Sequence, residues 1–258
     1  MEGGARYGGV GSVILTGVDL ANSLAAIKKL VFDEKRITMK QLKEALHANF
    51  EGNGYGDIQR MCMEAPKHGN DDPSVDQIVK DVYAATWKAH ERQGPDYLGR
   101  KNRPEAFSVS IHNTFGYVTG ALPTGRKAGI ALADATVSAM PGTDMNGPTA
   151  LVKSAAKAVD TLRYGSNHFN LKFHPSAMEG REGARKLLAL IKTYMDLGGF
   201  HIQFNCVSSE TLKEAQLHPE NHRDLVVRVA GFSAFFVNLD EGVQDEIIKR
   251  SELKFDEQ

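Results

Sequence analysis

The sequence predicts an α/β fold with parallel strands. Three segments, residues 107–112, 168–174 and 200–207, alternate apolar and polar side chains, as strands do because successive residues point to opposite faces. Amphipathic helical patterns precede and separate them, and strands that alternate with helices favour parallel pairing.

Taken in order, the chain opens with a glycine-rich stretch through Gly11 and turns apolar at Val13, Ile14 and Leu15. From Asp19, the three- and four-residue spacing of Leu20, Leu24, Ile27 and Val31 predicts a helix, with Lys28, Lys29 and Glu34 elsewhere on the wheel. Thr38 and Gln41 have capping-box spacing and open a second helix through Leu42, Ala45 and Leu46. After a loop over residues 65–73, a third helix runs from Ser74 through Ile78, Val82 and Trp87. The Gly- and Pro-containing stretch 93–103 is the clearest internal break. Two turn-rich loops, 121–129 and 141–148, lead to a helix in which Pro148 suits the first turn. Leu187, Leu188, Ile191 and Tyr194 predict a helix that Gly198 and Gly199 stop.

Composition narrows the function. The 258 residues are 41% hydrophobic and 24% charged, with net charge -1. That balance gives no basic footprint for nucleic acid. No apolar run approaches the roughly 20 residues of a membrane-spanning helix, and the start lacks the pattern of a signal peptide. A cytoplasmic, non-membrane protein is expected. Cys62 and Cys206 stand far apart, so no iron–sulfur or zinc site is built from this chain alone. Both are expected to be small buried apolar residues.

The informative segment is LVVRVAGFSAFF, residues 225–236, followed by a helix over 240–251. A run of valines stops at Gly231 among bulky aromatics. A glycine needed for positive φ is the ordinary explanation for such a residue. Its context resembles the signature of glycyl radical enzymes. DLANSLAAIKKLVF at 19–32, APKHGND at 65–71, the Thr119-to-Gly129 turn, NGPT at 146–149 and FHPS at 173–176 resemble further landmarks of that family, in the family's order.

The resemblance implies that Gly231 stores the radical. Without a side chain, its α-carbon can flatten and share the unpaired electron with the flanking amides. Arg228, Phe232 and Ser233 would form the radical-loop environment, and Phe232, Phe235 and Phe236 a dry pocket around it. The implied fold is part of a ten-stranded barrel, its second half-barrel, over residues 1–197, with a glycyl radical domain over 198–258. Val109, Ile111 and Asn113, on the strand expected at 107–112, are candidates for the substrate pocket; barrel core is the equal alternative for Val109 and Ile111. No metal site is expected in this chain.

In the family, a cysteine upstream of the region matched here relays the radical to substrate, and neither Cys62 nor Cys206 fits that role. The chain therefore reads as roughly the C-terminal third of a larger enzyme, catalytically incompetent alone and prone to self-association. Its expected partners are the remainder of that enzyme, a small-molecule substrate and a separate S-adenosylmethionine/iron–sulfur activating enzyme, with the full enzyme a homo-oligomer. No cofactor is expected in the chain itself. Motif detail (YGSNHFNLK, HIQFNC and Phe232) points first to enzymes that add hydrocarbons to fumarate. A glycyl radical dehydratase, an arylacetate decarboxylase, a formate acetyltransferase and a free-standing spare-part radical domain are the alternatives. Three other features are read as structural: Gly9-Val-Gly11 lacks a complete phosphate-loop motif, His168 and His174 lack further ligands, and Arg126-Lys127 reads as a solvated turn.

Overall fold

A computed structural model describes residues 10–13, 17–164 and 167–255. The start of the chain at Met1 and the Gly9 position lie outside them.

Helix α1 (Gly17–Ile27) continues into a π-helical turn (Lys28–Asp33). Its buried face is not the expected stripe. Val18, Ala21, Asn22, Ala25 and Ala26 are buried, whereas Leu20 and Leu24 are 51% and 41% exposed. Small residues win this face because they admit close helix packing. A Cβ on Gly17 would lie 2.7 Å from the Tyr83 ring of helix α4, which spans Pro73–Gln93. Between them lie α2 (Met39–His47) and α3 (Tyr55–Glu64). The capping box at Thr38 is realised: the Gln41 amide donates to Thr38 Oγ1 at 3.2 Å, and the Thr38 amide to Gln41 Oε1 at 2.8 Å.

Strand β1 (Val10–Val13) pairs in parallel with β2 (Asn102–Glu105). The strand expected at 107–112 is not formed. The chain turns at Ser108, Val109 adopts a left-handed φ of 53°, and helix α5 (Ile111–Val118) begins. The alternation misled because its polar members face inward. Ser108 and His112 are buried and Ile111 is 42% exposed, since the Ser108 hydroxyl accepts the Ala135 amide at 2.8 Å.

Helix α6 (Gly147–Ala158) carries Pro148 in its first turn. Then come β3 (Asn170–Phe173), α7 (Gly180–Asp196), β4 (Gln203–Cys206) and α8 (Ser209–Leu217). On α7, Leu190 and Tyr194 are buried and Leu188 is exposed, one step off the expected stripe. The chain ends in a hairpin, β5 (Val226–Arg228) against β6 (Ser233–Phe235), then α9 (Glu241–Lys249) and β7 (Glu252–Leu253).

Strand β3 is the centre of the wall. It pairs in parallel with β4 on one side, Asn170 opposite Gln203 and Lys172 opposite Asn205, and with β7 on the other. A parallel bridge from Ala106 to Asn167 links it towards β2. The expected α/β class with parallel strands is the one observed.

One face of β3 (Phe169, Leu171, Phe173) packs on α4, α6 and α7 through Val79, Tyr83, Val152, Leu190 and Tyr194. Each such buried side chain contributes about 2 kcal/mol. A second core, from Val207, Leu212, Val227, Val229, Phe236 and Ile247, holds α8, α9 and the hairpin together. Among the described residues no helix is long and apolar enough to cross a membrane.

Candidate functional site

The other face of the wall is polar and buried. Side chains on a strand repeat every two residues, so His168, Asn170 and Lys172 share this face with His201, Gln203 and Asn205 of the adjacent strand. Asn170, Lys172, Gln203 and Asn205 are all buried, and the His168 and His201 rings meet at 4.8 Å. Such a row needs partners, because buried polar groups without them are costly. For Asn170 and Asn205 the partner is the backbone of the β5–β6 hairpin, while Lys172 donates to Ser209 and to the Ile248 carbonyl.

Asn205 grips Arg228 twice: its Oδ1 accepts the Arg228 amide at 2.7 Å and its Nδ2 donates to the Arg228 carbonyl at 2.7 Å. Asn170 Nδ2 donates to the Val229 carbonyl at 2.9 Å and to Asp134. Gln203 donates to Asn170 and accepts from Arg228 Nε at 2.6 Å. The hairpin then closes through the Val229 amide, which donates to the Phe232 carbonyl at 2.9 Å. Ala230 and Gly231 form its tip.

Gly231 has φ +86°. Positive φ at the second central residue of such a turn suits glycine. A Cβ there would also lie 2.9 Å from His168 Cε1, so both conformation and space demand glycine. Gly231 itself is exposed.

Of the anticipated neighbours, Arg228 and Ser233 meet: Arg228 Nη1 donates to Ser233 Oγ at 3.1 Å and Nη2 to the Gly231 carbonyl at 3.4 Å. The expected aromatic pocket is corrected. Phe232 and Phe235 are 36% and 47% exposed, and Phe236 is buried in the second core. The rings beside the turn are instead His168, His201 and Phe107, the last 5.5 Å from His168. Burial foremost, then His201 and Arg228, push the His168 imidazole below its ordinary pKa; burial and Arg228 do the same to His201.

Beneath the turn lies a charge cluster absent from the sequence reading. Arg250 is buried and pairs with Glu246 at 2.8 Å and with Asp134 at 3.5 Å. His112 Nε2 is 3.3 Å from Glu246. Burial raises the Asp134 carboxyl despite Arg250. At Glu246 burial also pushes upward, but Arg250 and His112 outweigh it and hold the group low. A single guanidinium thus faces two buried carboxyls, Glu246 at 2.8 Å and Asp134 at 3.5 Å.

Val109, Ile111 and Asn113 are not gathered at the turn. Val109 is half-buried and Ile111 is exposed at the start of α5. Asn113 lines a separate cleft of about 1150 Å³ shared with Glu246, Lys67 and Thr114. Arg126 is no solvated turn: it is buried, and its guanidinium donates to the carbonyls of Gly116, Gly120 and Ile130. Cys62 is buried, its thiol pushed up to about 11 by desolvation, but Cys206 is exposed, at the outer end of β4. Among the described residues no group of three or more His, Cys, Asp or Glu could hold a metal ion.

Two family patterns match this chain: "Pyruvate formate lyase-like" over residues 1–116 and "Glycine radical" over residues 133–237. The chain is 40% identical to the indoleacetate decarboxylase of Tractidigestivibacter scatoligenes, over 96% of its own length and 31% of that protein. It is 42% identical to the isethionate sulfite-lyase of Nitratidesulfovibrio vulgaris, over 95% of this chain and 29% of the relative. The B12-independent glycerol dehydratase of Clostridium butyricum superposes with a TM-score of 0.93 at 39% identity, covering 98% of this chain and 32% of that one. The chain therefore spans about a third of the length of the relatives it matches.

Proposed function

The chain belongs to the glycyl radical enzyme family, and on that premise we propose that Gly231 is the residue that stores its radical. The observation that carries this is the left-handed turn at Gly231, held by backbone hydrogen bonds to Asn170 and Asn205 and lying within the stretch matched as a glycine radical. Loss of one α-hydrogen leaves a flat carbon whose electron spreads onto the amides on either side, and a turn gripped by its backbone keeps those amides fixed. Arg228, through the Gly231 carbonyl, and Ser233, through Arg228, orient the turn; Phe232 closes its outer end. Residues 198–258 act as the radical domain and residues 1–197 as barrel wall.

The radical is installed by a separate S-adenosylmethionine/iron–sulfur enzyme, which removes one hydrogen atom from Gly231. Gly231 then takes a hydrogen atom from a cysteine thiol of the remaining enzyme, and that thiyl takes one from substrate. The reaction class is lyase. Similarity to a decarboxylase, a sulfite-lyase and a dehydratase favours bond cleavage in a small substrate, by decarboxylation or dehydration, over addition of a hydrocarbon to fumarate. Asn113, which lines the cleft of about 1150 Å³, remains the proposed pocket contribution of this chain, whereas Val109 and Ile111 do not line it. The test is anaerobic electron paramagnetic resonance after treatment with a glycyl radical activating enzyme and S-adenosylmethionine. A doublet that vanishes in Gly231→Ala supports the assignment; a doublet that persists in that variant refutes it.

A further inference from the structure

His168 stands against one face of the Gly231 α-carbon. A substituent in the Cβ position would lie 2.9 Å from His168 Cε1, 3.4 Å from Nδ1 and 3.5 Å from Nε2. Cβ takes the place of one of glycine's two α-hydrogens, so that hydrogen points at the imidazole. The ring is held from behind by His201 at 4.8 Å and by Phe107 at 5.5 Å. Its backbone is equally fixed: the His168 carbonyl accepts from the Thr136 amide at 2.9 Å and the Val137 amide at 3.2 Å, and its amide donates to Thr136 Oγ1 at 2.9 Å. Yet Nδ1 is buried without a hydrogen-bond partner among the described residues. Such a vacancy costs roughly 1–3 kcal/mol, so hydrogen bonding by Nδ1 does not account for the residue. Burial, His201 and Arg228 favour the neutral ring.

We infer that His168 is a shielding residue, a hydrogen-poor lid over one face of the radical-bearing carbon of Gly231. This rests on the reading of Gly231 as the radical residue. A flattened α-carbon presents one lobe of the unpaired electron on each face. A cysteine or tyrosine neighbour would offer an S–H or O–H bond from which the radical could take hydrogen. Imidazole offers only ring C–H and N–H bonds, which are too strong for a glycyl radical to break. The lid therefore excludes water and oxidant from its face without quenching the radical. The opposite face stays open for hydrogen exchange with a thiol. No bond forms or breaks at His168.

The test uses the whole chain labelled with 15N-histidine and activated anaerobically as above. Electron–nuclear double resonance is expected to show 15N coupling to the glycyl radical, absent in His168→Phe, which keeps a flat ring without nitrogen. Under a fixed low oxygen exposure the doublet of His168→Phe persists as in the parent, and that of His168→Ala decays about twofold faster, because two faces of the carbon rather than one then admit oxidant. A doublet without histidine coupling, or an equal lifetime in His168→Ala, overturns the lid while leaving the radical at Gly231. Absence of a doublet in the parent chain overturns both.

Discussion

Arg250 Nη1 donates to the main-chain carbonyl of Arg228 at 3.2 Å. Two residues of like charge are thereby joined through a backbone oxygen, and the buried ion cluster of α9 is wired to the strand that enters the glycine turn. Arg250→Met would strand Glu246 and Asp134 without their cation. Breaking one side of a buried ion pair costs about 3–5 kcal/mol, and a loss of that size is expected in urea unfolding. A change under 1 kcal/mol would mean the cluster is not coupled to the fold.

At Gly231, alanine meets both a positive φ and the His168 ring. Gly231→Ala is expected to destabilise by about 1–3 kcal/mol, so it is not a silent probe of the radical. Adding His168→Ala removes the ring but leaves φ unchanged. The double variant should therefore be less destabilised than the sum of the two single ones, as a denaturant double-mutant cycle would reveal.

Asp19 sits in the α1 interface, where burial pushes its carboxyl up to about 6 despite the Ala133 amide donating to it. A raised carboxyl favours the folded state when protonated, so its contribution is complete below the ordinary value near 3.8 and is lost as pH rises through about 6. Asp19→Asn keeps an acceptor without the charge. Between pH 4 and 6.5 the variant should gain on the parent by on the order of 2–3 kcal/mol, read from unfolding midpoints. A parallel pair of pH profiles would refute the assignment.

Arg126→Lys replaces a planar fork that serves three loop carbonyls with a single ammonium. Amide hydrogen exchange across residues 116–130 should accelerate, while that of β3 and β4 stays as in the parent. Uniform acceleration would point to global destabilisation instead.

The apolar side chains of Leu20, Leu24, Phe115, Tyr117 and Val118 are exposed. Concentration-dependent self-association is expected by light scattering, reduced in Leu20→Lys/Leu24→Lys. A monomer at all concentrations would contradict it.

Much of the fold was legible where local rules and tertiary packing agree, as at the Thr38 box, Pro148 and the Gly198-Gly199 stop. It was illegible where they conflict. The α1 stripe of leucines lost to alanines because backbones approach closely there, and residues 107–112 alternate with polar members inward. The inner wall inverts the usual polarity: His168, Asn170, Gln203 and Asn205 are the polar members of alternating segments, yet they face the turn rather than solvent. Gly231 and Arg228 could be found from the motif because they adjoin in sequence. His168, Arg250 and Glu246 could not, because only the parallel register and the return of α9 bring them there. The one available signal was the matched period of His-x-Asn-x-Lys and His-x-Gln-x-Asn in successive strands.

Strand β3 has β4 on one flank and β7 on the other, and everything between Val207 and Ser251 is an excursion whose two ends are moored to the same strand. A nick at an exposed point of that excursion, such as Asn221, would leave two pieces, each with its own strand docked beside β3. The held ends keep the pieces at high local concentration. The glycine turn therefore lies in a stretch whose place beside β3 is set from both of its ends.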